Sequence, residues 1–306
     1  MSDTEPVIIF DNGSGYLKAG LSNQEAPEVV IPSVIGRPMF SYAQKNDVVK
    51  LKPLMIGDEV PSDRRLLDLT FPIKNGKIEK EEDMELLWEY VLEKKLNLSE
   101  NDLKNRKILL TESITNDNFS KNKKIGEIIF EKIGLRYMNI EPQAKMVLYS
   151  EGIETGTVID CGENETNVIP IAKGYLLHHN IKGLDIGGKA ITDNLIRLLQ
   201  FRGYQLSMVD FEKVRKLKEK YCFVSCDIYS DRKLEKETTF YNSWAKLPDG
   251  VKIFISYEKF EAPEILFQPE LIQNEGMGLP EMFISSVEVI KFYLIFLILL
   301  ILEMPN

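Results

Sequence analysis

Two short stretches of this chain join an apolar run to an aspartate and a glycine-bearing turn. Val7-Ile8-Ile9-Phe10 leads into Asp11-Asn12-Gly13-Ser14-Gly15, and Thr157-Val158-Ile159 leads into Asp160-Cys161-Gly162-Glu163-Asn164. An aspartate at the end of a buried strand, followed by such a turn, suits phosphate and Mg2+. Backbone N–H groups in the turn converge and favour an anion. The carboxylate can hold Mg2+ through the waters that this ion gives up reluctantly. Lys18, on the strand leaving the first turn, is placed to lie over the phosphates as a point charge. One such motif is more often an ordinary hairpin. Two of them, about 150 residues apart, predict a duplicated chain whose turns clamp phosphates from both sides.

Other residues fit the same chemistry. Gly187-Gly188-Lys189 opens a helical pattern, which reads either as an anion site at a helix N-terminus or as glycine needed for close packing. Lys218 and Glu219 lie on a polar helix and read as base or ribose contacts, or as a solvated face. Gln143 starts a helix, either to orient a water or as a buried cap.

The elements that must position these residues alternate between strand and helix. Glu82 to Leu96 carries Met84, Leu87, Trp88, Val91 and Leu92 at helical spacing. Lys107 to Thr111 reads as a buried strand. Asn122 to Ile133 reads as a helix, with Gly134 as its C-cap. Pro142 to Tyr149 reads as a helix with Pro in its first turn. Ala190 to Phe201 and Met208 to Lys220 are helical, and Asp231 to Ile255 alternates like strands around a Pro248-Asp249-Gly250 turn. Ser33 to Thr70, rich in Pro, Gly and charge, reads as a small insertion. The pattern predicts an α/β fold with a mixed sheet in each half.

Composition narrows the function classes. The chain has 306 residues and a net charge of -9, with a sequence pI near 5.1. An acidic surface argues against nucleic acid as the main partner, because phosphate binding needs clustered Lys and Arg. Cys161, Cys222 and Cys226 are too sparse for a secreted disulfide framework, and no second Cys or His pair completes a zinc site. They read as buried thiols in a reducing compartment. No signal peptide is visible at the N-terminus. Phe292 to Leu302 is an apolar run of eleven residues bracketed by Lys291 and Glu303, short of the roughly 20 that a membrane span needs.

These motifs, taken together, resemble the actin family. DNGSGYLKAG (11–20) is similar to its first phosphate loop, and DCGENETNVIP (160–170) sits where the second belongs. GRPMF (36–40), MIGDE (55–59), NGKI (75–78), ILLTES (108–113), QAKMVLY (143–149) and LDIGGKAITDNLIRLLQFRGY (184–204) follow in order. The resemblance covers residues 7 to about 290. It implies the duplicated, ribonuclease H-like, two-lobed ATPase fold: a first lobe over 1–150 with a small insertion over 33–70, and a second over 151–290 with a subdomain over about 187–275. Residues 291–306 then read as an aberrant apolar tail, with the C-terminal portion of the fold missing. The family's Gly-Gly adenosine loop does not appear after Ile290.

The resemblance also implies cofactors and roles. ATP and Mg2+ are the expected ligands. Asp11 and Asp160 match the family's metal residues, and Gln143, Asp160 and Asn167 its hydrolytic positions. Gly13, Ser14, Gly15, Lys18, Gly162, Glu163, Asn164, Gly188, Lys189, Lys218 and Glu219 match nucleotide contacts. DFEKVRKLKEKYC (210–222), LEKETTFYNSWAKLPDG (234–250) and YEKFEAPEILFQPELI (257–272) point to one branch of the family. Its members are subunits of a seven-subunit complex that nucleates branched actin filaments. Actin filaments, the other subunits and nucleation-promoting factors are therefore the expected partners, in the cytoplasmic actin cytoskeleton. Glu163 stands where the family has Asp, Asn164 where it has Gly, Asn167 where it has His, and Lys189 where it has Arg. Asn tolerates a left-handed backbone, so the turn can survive. Asn167 cannot take up a proton, so the resemblance implies slow hydrolysis at most and a mainly structural role. The alternatives are a non-nucleating fragment, or a kinase or chaperone ATPase built on the same clamp.

Overall fold

The apolar run before Asp11 becomes the middle of a sheet, and the one before Asp160 the start of another. A computed structural model describes residues 5–39, 52–61, 64–74, 76–113, 118–207, 210–247 and 250–287. Phe40, Asn75, Met208, Pro248-Asp249, the run Phe292–Leu302 and the tail 291–306, on which sequence expectations bear, lie outside the described residues. The chain divides into two units, Met1–Ile153 and Glu154–Asn306.

In the first unit β1 (Ile8–Asn12) turns at Gly13–Gly15 into antiparallel β2 (Tyr16–Leu21), which pairs with β3 (Val29–Pro32). The Ser33–Thr70 stretch builds its own sheet from β4 (Ile35–Pro38), β5 (Met55–Ile56) and β6 (Leu67–Thr70). A separate small cluster of Val34, Met55, Val60 and Leu67 supports it. A short hairpin, β7 (Ile73–Lys74) and β8 (Lys77–Ile78), leads into α1 (Glu81–Tyr90), which runs on as a π-helical turn over Val91–Lys95. Ser99 caps the short α2 (Glu100–Leu103) in a capping box with Asp102. β9 (Lys107–Glu112), α3 (Asn118–Glu127) and β10 (Tyr137–Pro142) follow. α3 also ends in a π-helical turn, closed by Gly134 at φ 81°, as its C-cap reading requires. Both β9 and β10 run parallel to β1, giving the order β10-β9-β1-β2-β3. α4 (Gln143–Ser150) closes the unit.

One face of this sheet is the core. Ile8, Phe10, Leu17, Ile108 and Leu110 pack against Met84, Leu87, Trp88 and Val91, the inward stripe read from the sequence. Each such side chain contributes on the order of 1.5–3 kcal/mol on burial. Phe10 and Trp88 meet with ring centroids 6.4 Å apart.

In the second unit β11 (Gly156–Cys161) turns into antiparallel β12 (Thr166–Ala172), which pairs with β13 (Tyr175–Leu176) and β14 (Lys182–Leu184). α5 (Gly188–Phe201) and α6 (Phe211–Tyr221) pack on this sheet. Ile191, Leu195 and Leu199, spaced four apart, join Val168, Val214 and Leu217 in its core. α7 (Ile228–Glu237), the hairpin of β15 (Ser243–Lys246) and β16 (Lys252–Ile255), the short α8 (Glu258–Glu261) and α9 (Leu279–Val287) complete it.

Three local expectations change. Pro142 is the N-cap of α4, with ψ 135°, rather than its first helical residue. The strand-like reading of Asp231 onward gives way to α7, because Asp227 accepts from the N–H groups of Tyr229 and Ser230 and the run from Arg232 to Glu237 consists of strong helix formers. The thiols are not all buried: Cys226 is exposed, whereas burial pushes the Cys222 thiol up to about 12.

Candidate functional site

Parallel pairing sets three strand ends level. Asp11 on β1 lies beside Thr111 on β9, which lies beside Glu141 on β10, and Gln143 follows at the start of α4. Ligands of open α/β sheets bind at this carboxyl edge. Asp11 Oδ1 accepts two hydrogen bonds, from Thr111 Oγ1 at 2.5 Å and from Gln143 Nε2 at 2.7 Å. Its second oxygen, Oδ2, faces Lys18 Nζ at 3.9 Å. Lys18 reaches it because the two residues are directly opposed across the β1–β2 ladder, on one face of the sheet. Both side chains keep about a third of their surface open, 37% for Lys18 and 33% for Asp11.

The turn between them is held from three sides. A Cβ on Gly13 would lie 2.5 Å from the carbonyl oxygen of Tyr16, so only glycine fits there. Ser33, almost fully buried, donates its hydroxyl to Gly13 O at 2.7 Å and its N–H to Gly15 O at 2.9 Å. Trp88 Nε1 donates to Asn12 Oδ1 at 3.0 Å. Ser14 and Gly15 sit half-buried at the tip. The structure thus brings Asp11, Gly13, Ser14, Gly15, Lys18 and Gln143 together. It adds Thr111, Ser33 and Trp88, which sequence reasoning did not assign to a site. A lone polar residue closing the strand ILLT was the one signal for Thr111; Ser33 gave none.

The second turn repeats the plan with different supports. Gly162 N–H donates to Glu165 O at 2.9 Å, and a Cβ on Gly162 would meet that oxygen at a looser 3.3 Å. Asn164 is not among the residues with positive φ, so it stands in the family's glycine position without backbone strain. Asp160 faces Asn167 across the β11–β12 ladder, and Asn167 faces Gly183 on β14. The Asn167 carbonyl oxygen would lie 2.8 Å from a Cβ on Gly183, so that glycine gives the amide its room.

The start of α5 is docked onto this turn. Gly188 N–H donates to Gly162 O at 2.9 Å and Lys189 N–H to Glu163 O at 2.8 Å. A Cβ on Gly187 would strike the same carbonyls at 2.5 and 2.7 Å. Close packing is therefore what these glycines supply. Of the two readings that the sequence left open here, these contacts support close packing, and the first two N–H groups of the helix already have acceptors.

Buried charge surrounds the same corner. Lys218, only 4% exposed, donates from Nζ to Gly188 O at 2.8 Å. Burial pushes its ammonium down, against the pull of Glu163 and Glu219. Burial pushes the Glu163 carboxyl up, against Lys218 and Arg215. Arg215 bridges Glu212 at 2.7 Å and approaches Glu219 at 3.9 Å. Asp193 Oδ1 is buried with no hydrogen-bond partner among the described residues, beside Lys189 and Lys218. It offers an acceptor to a ligand hydroxyl.

These donor sets fit Mg2+ and a phosphorylated ligand. Asp11 and Asp160 are hard oxygen donors, and Lys18 is a cation next to the first turn. Among the described residues no cluster of three or more His, Cys, Asp or Glu could cage a metal.

Comparison with known proteins gives a consistent result. The Actin family pattern matches residues 2–295. Actin-related protein 2 of Acanthamoeba castellanii is 38% identical over 288 residues, covering 94% of this chain and 73% of that protein. Actin-related protein 2 of Caenorhabditis briggsae is 38% identical over 289 residues, covering 94% and 72%. The protein of that name from Saccharomyces cerevisiae is 38% identical over 288 residues, with 94% and 73% covered.

Proposed function

This chain belongs to the actin family and has its fold, and from that premise we propose that it is an ATP-binding, actin-related subunit of the complex that nucleates branched actin filaments. The observation that carries the nucleotide reading is the Asp11 cluster: one carboxylate fixed by Thr111 and Gln143, with its second oxygen turned to Lys18. The likeness to actin-related protein 2 over nearly the whole chain supports the choice of branch.

In this reading Asp11 in the first unit and Asp160 in the second would each serve as an oxygen donor to Mg2+. The ion, when bound, offsets the charge of the phosphates. Lys18 and the two glycine turns bind the phosphate oxygens. The Lys189 and Glu219 side chains and Asp193 take the nucleoside end, and Lys218 stays on Gly188 O to brace the start of α5. Gln143 orients a water by its amide. Asn167 donates or accepts a hydrogen bond but stores no proton, so hydrolysis is slow and the nucleotide acts as a structural switch. Actin filaments, the remaining subunits and nucleation-promoting factors are the partners, in the actin cytoskeleton of the cytoplasm. No described helix is long and apolar enough to cross a membrane.

The test is co-expression with the other six subunits, followed by affinity capture and nucleotide analysis of the captured assembly. Recovery of this chain in the assembly, with ATP or ADP bound, is expected. A chain that remains outside the assembly overturns the subunit reading.

A further inference from the structure

We infer that Thr111 is a positioning residue for the Asp11 carboxylate, setting which of its oxygens meets Mg2+. This rests on the nucleotide reading above and adds a residue to it.

Thr111 is 7% exposed, at the end of the parallel strand beside β1. Its hydroxyl reaches Asp11 Oδ1 at 2.5 Å, across 100 residues of sequence. Gln143 donates to the same oxygen from the next strand end, at 2.7 Å. Two donors on one oxygen fix the rotation of the carboxylate group. Oδ2 is left turned toward Lys18, which at 3.9 Å is too far for a hydrogen bond. The oxygen with the weaker partner is the one free for a metal-bound water.

The side chain suits this task. A β-branched residue has few χ1 choices, so the Thr111 hydroxyl is aimed by the strand rather than by the ligand. Gln143 has three rotatable bonds, and its amide is also wanted for water. If Gln143 swings toward a substrate water, Thr111 alone keeps Asp11 in place. Valine has the same shape without the donor. Serine keeps the donor but loosens its aim.

The experiment measures ATP affinity of the purified protein with Mg2+ and with EDTA, by isothermal titration, for wild type, Thr111→Val, Thr111→Ser and Asp11→Ala. Losing a group that orients a metal-holding side chain typically weakens metal-dependent binding by roughly 10- to 100-fold, so Thr111→Val should weaken Mg-ATP binding by about 10-fold or more. EDTA-ATP affinity should change by less than about 3-fold, and Thr111→Ser should recover most of the loss. A purely structural threonine would lower both affinities together, or lower only the ligand-free melting temperature, and that result overturns the inference. Thr111→Val with wild-type Mg-ATP affinity also overturns it, while Asp11→Ala losing the Mg2+ dependence leaves the nucleotide reading intact. A wild-type protein without Mg2+-dependent binding overturns both.

Discussion

Gly13 and Asp83 are two positions that the structure holds tightly. Gly13→Ala puts a methyl group 2.5 Å from the Tyr16 carbonyl oxygen, so the first turn must shift. We expect a stability loss of about 1–3 kcal/mol and a larger loss of Mg-ATP affinity, measured by urea unfolding and titration on one sample. Gly162→Ala, with 3.3 Å of room, should be milder; equal effects would mean the two turns are not distinguished by this contact. Asp83, 3% exposed, accepts from Arg37 at 2.5 Å and from Thr70 at 2.6 Å. Burial alone would raise its carboxyl, but the Arg37 and Thr70 donors outweigh burial and hold it below the usual range. A depressed folded pKa means the stabilisation is full above the unfolded value, about 3.9, and is lost as pH falls through the folded one. Wild-type stability should therefore drop below about pH 4, while Asp83→Asn, weaker by about 1–3 kcal/mol at pH 7, should show a flatter acid limb. Parallel curves for the two proteins would rule out this ion pair as a source of acid sensitivity.

Local elements were legible where the signal was local. The two Asp–turn hairpins, the stripe of Met84, Leu87, Trp88 and Val91, and the Gly134 cap all depend on spacing or backbone within a few residues. Asp231 to Glu237 misled because charged residues with occasional apolar ones fit either period; what decides is Asp227, four residues earlier, which starts a helix with no buried residue. Asp227→Ala should accordingly cost about 1 kcal/mol, seen as a lower melting temperature, with Asp227→Asn nearly neutral. No change in either variant would mean that packing, not capping, holds α7. The supports of the first turn were beyond local reading. Thr111 is 100 residues from Asp11 and Ser33 is 20 from Gly13, and only the sheet order brings them together. The docking of α5 onto Gly162 and Glu163 likewise needed the fold.

At the scale of the whole molecule, the chain is two units with separate cores, each carrying one aspartate at a glycine turn. If both serve one ligand, Asp11→Ala and Asp160→Ala should each weaken Mg-ATP binding although they lie in different units. Unchanged affinity in both would exclude a shared role. Thiol chemistry gives a second check. Exposed Cys226 should react with maleimide well before Cys222, whose thiol burial pushes up to about 12. The chain also holds two tryptophans in opposite settings. Trp244 is 67% exposed on β15, while Trp88 is fully buried with its indole N–H on Asn12 of the first turn. Iodide should quench the fluorescence of the first and spare the second. A Trp244→Phe protein would then carry a single tryptophan, wired to the turn, so that its emission, excited beyond the tyrosine band, follows ligand arrival there with no label attached.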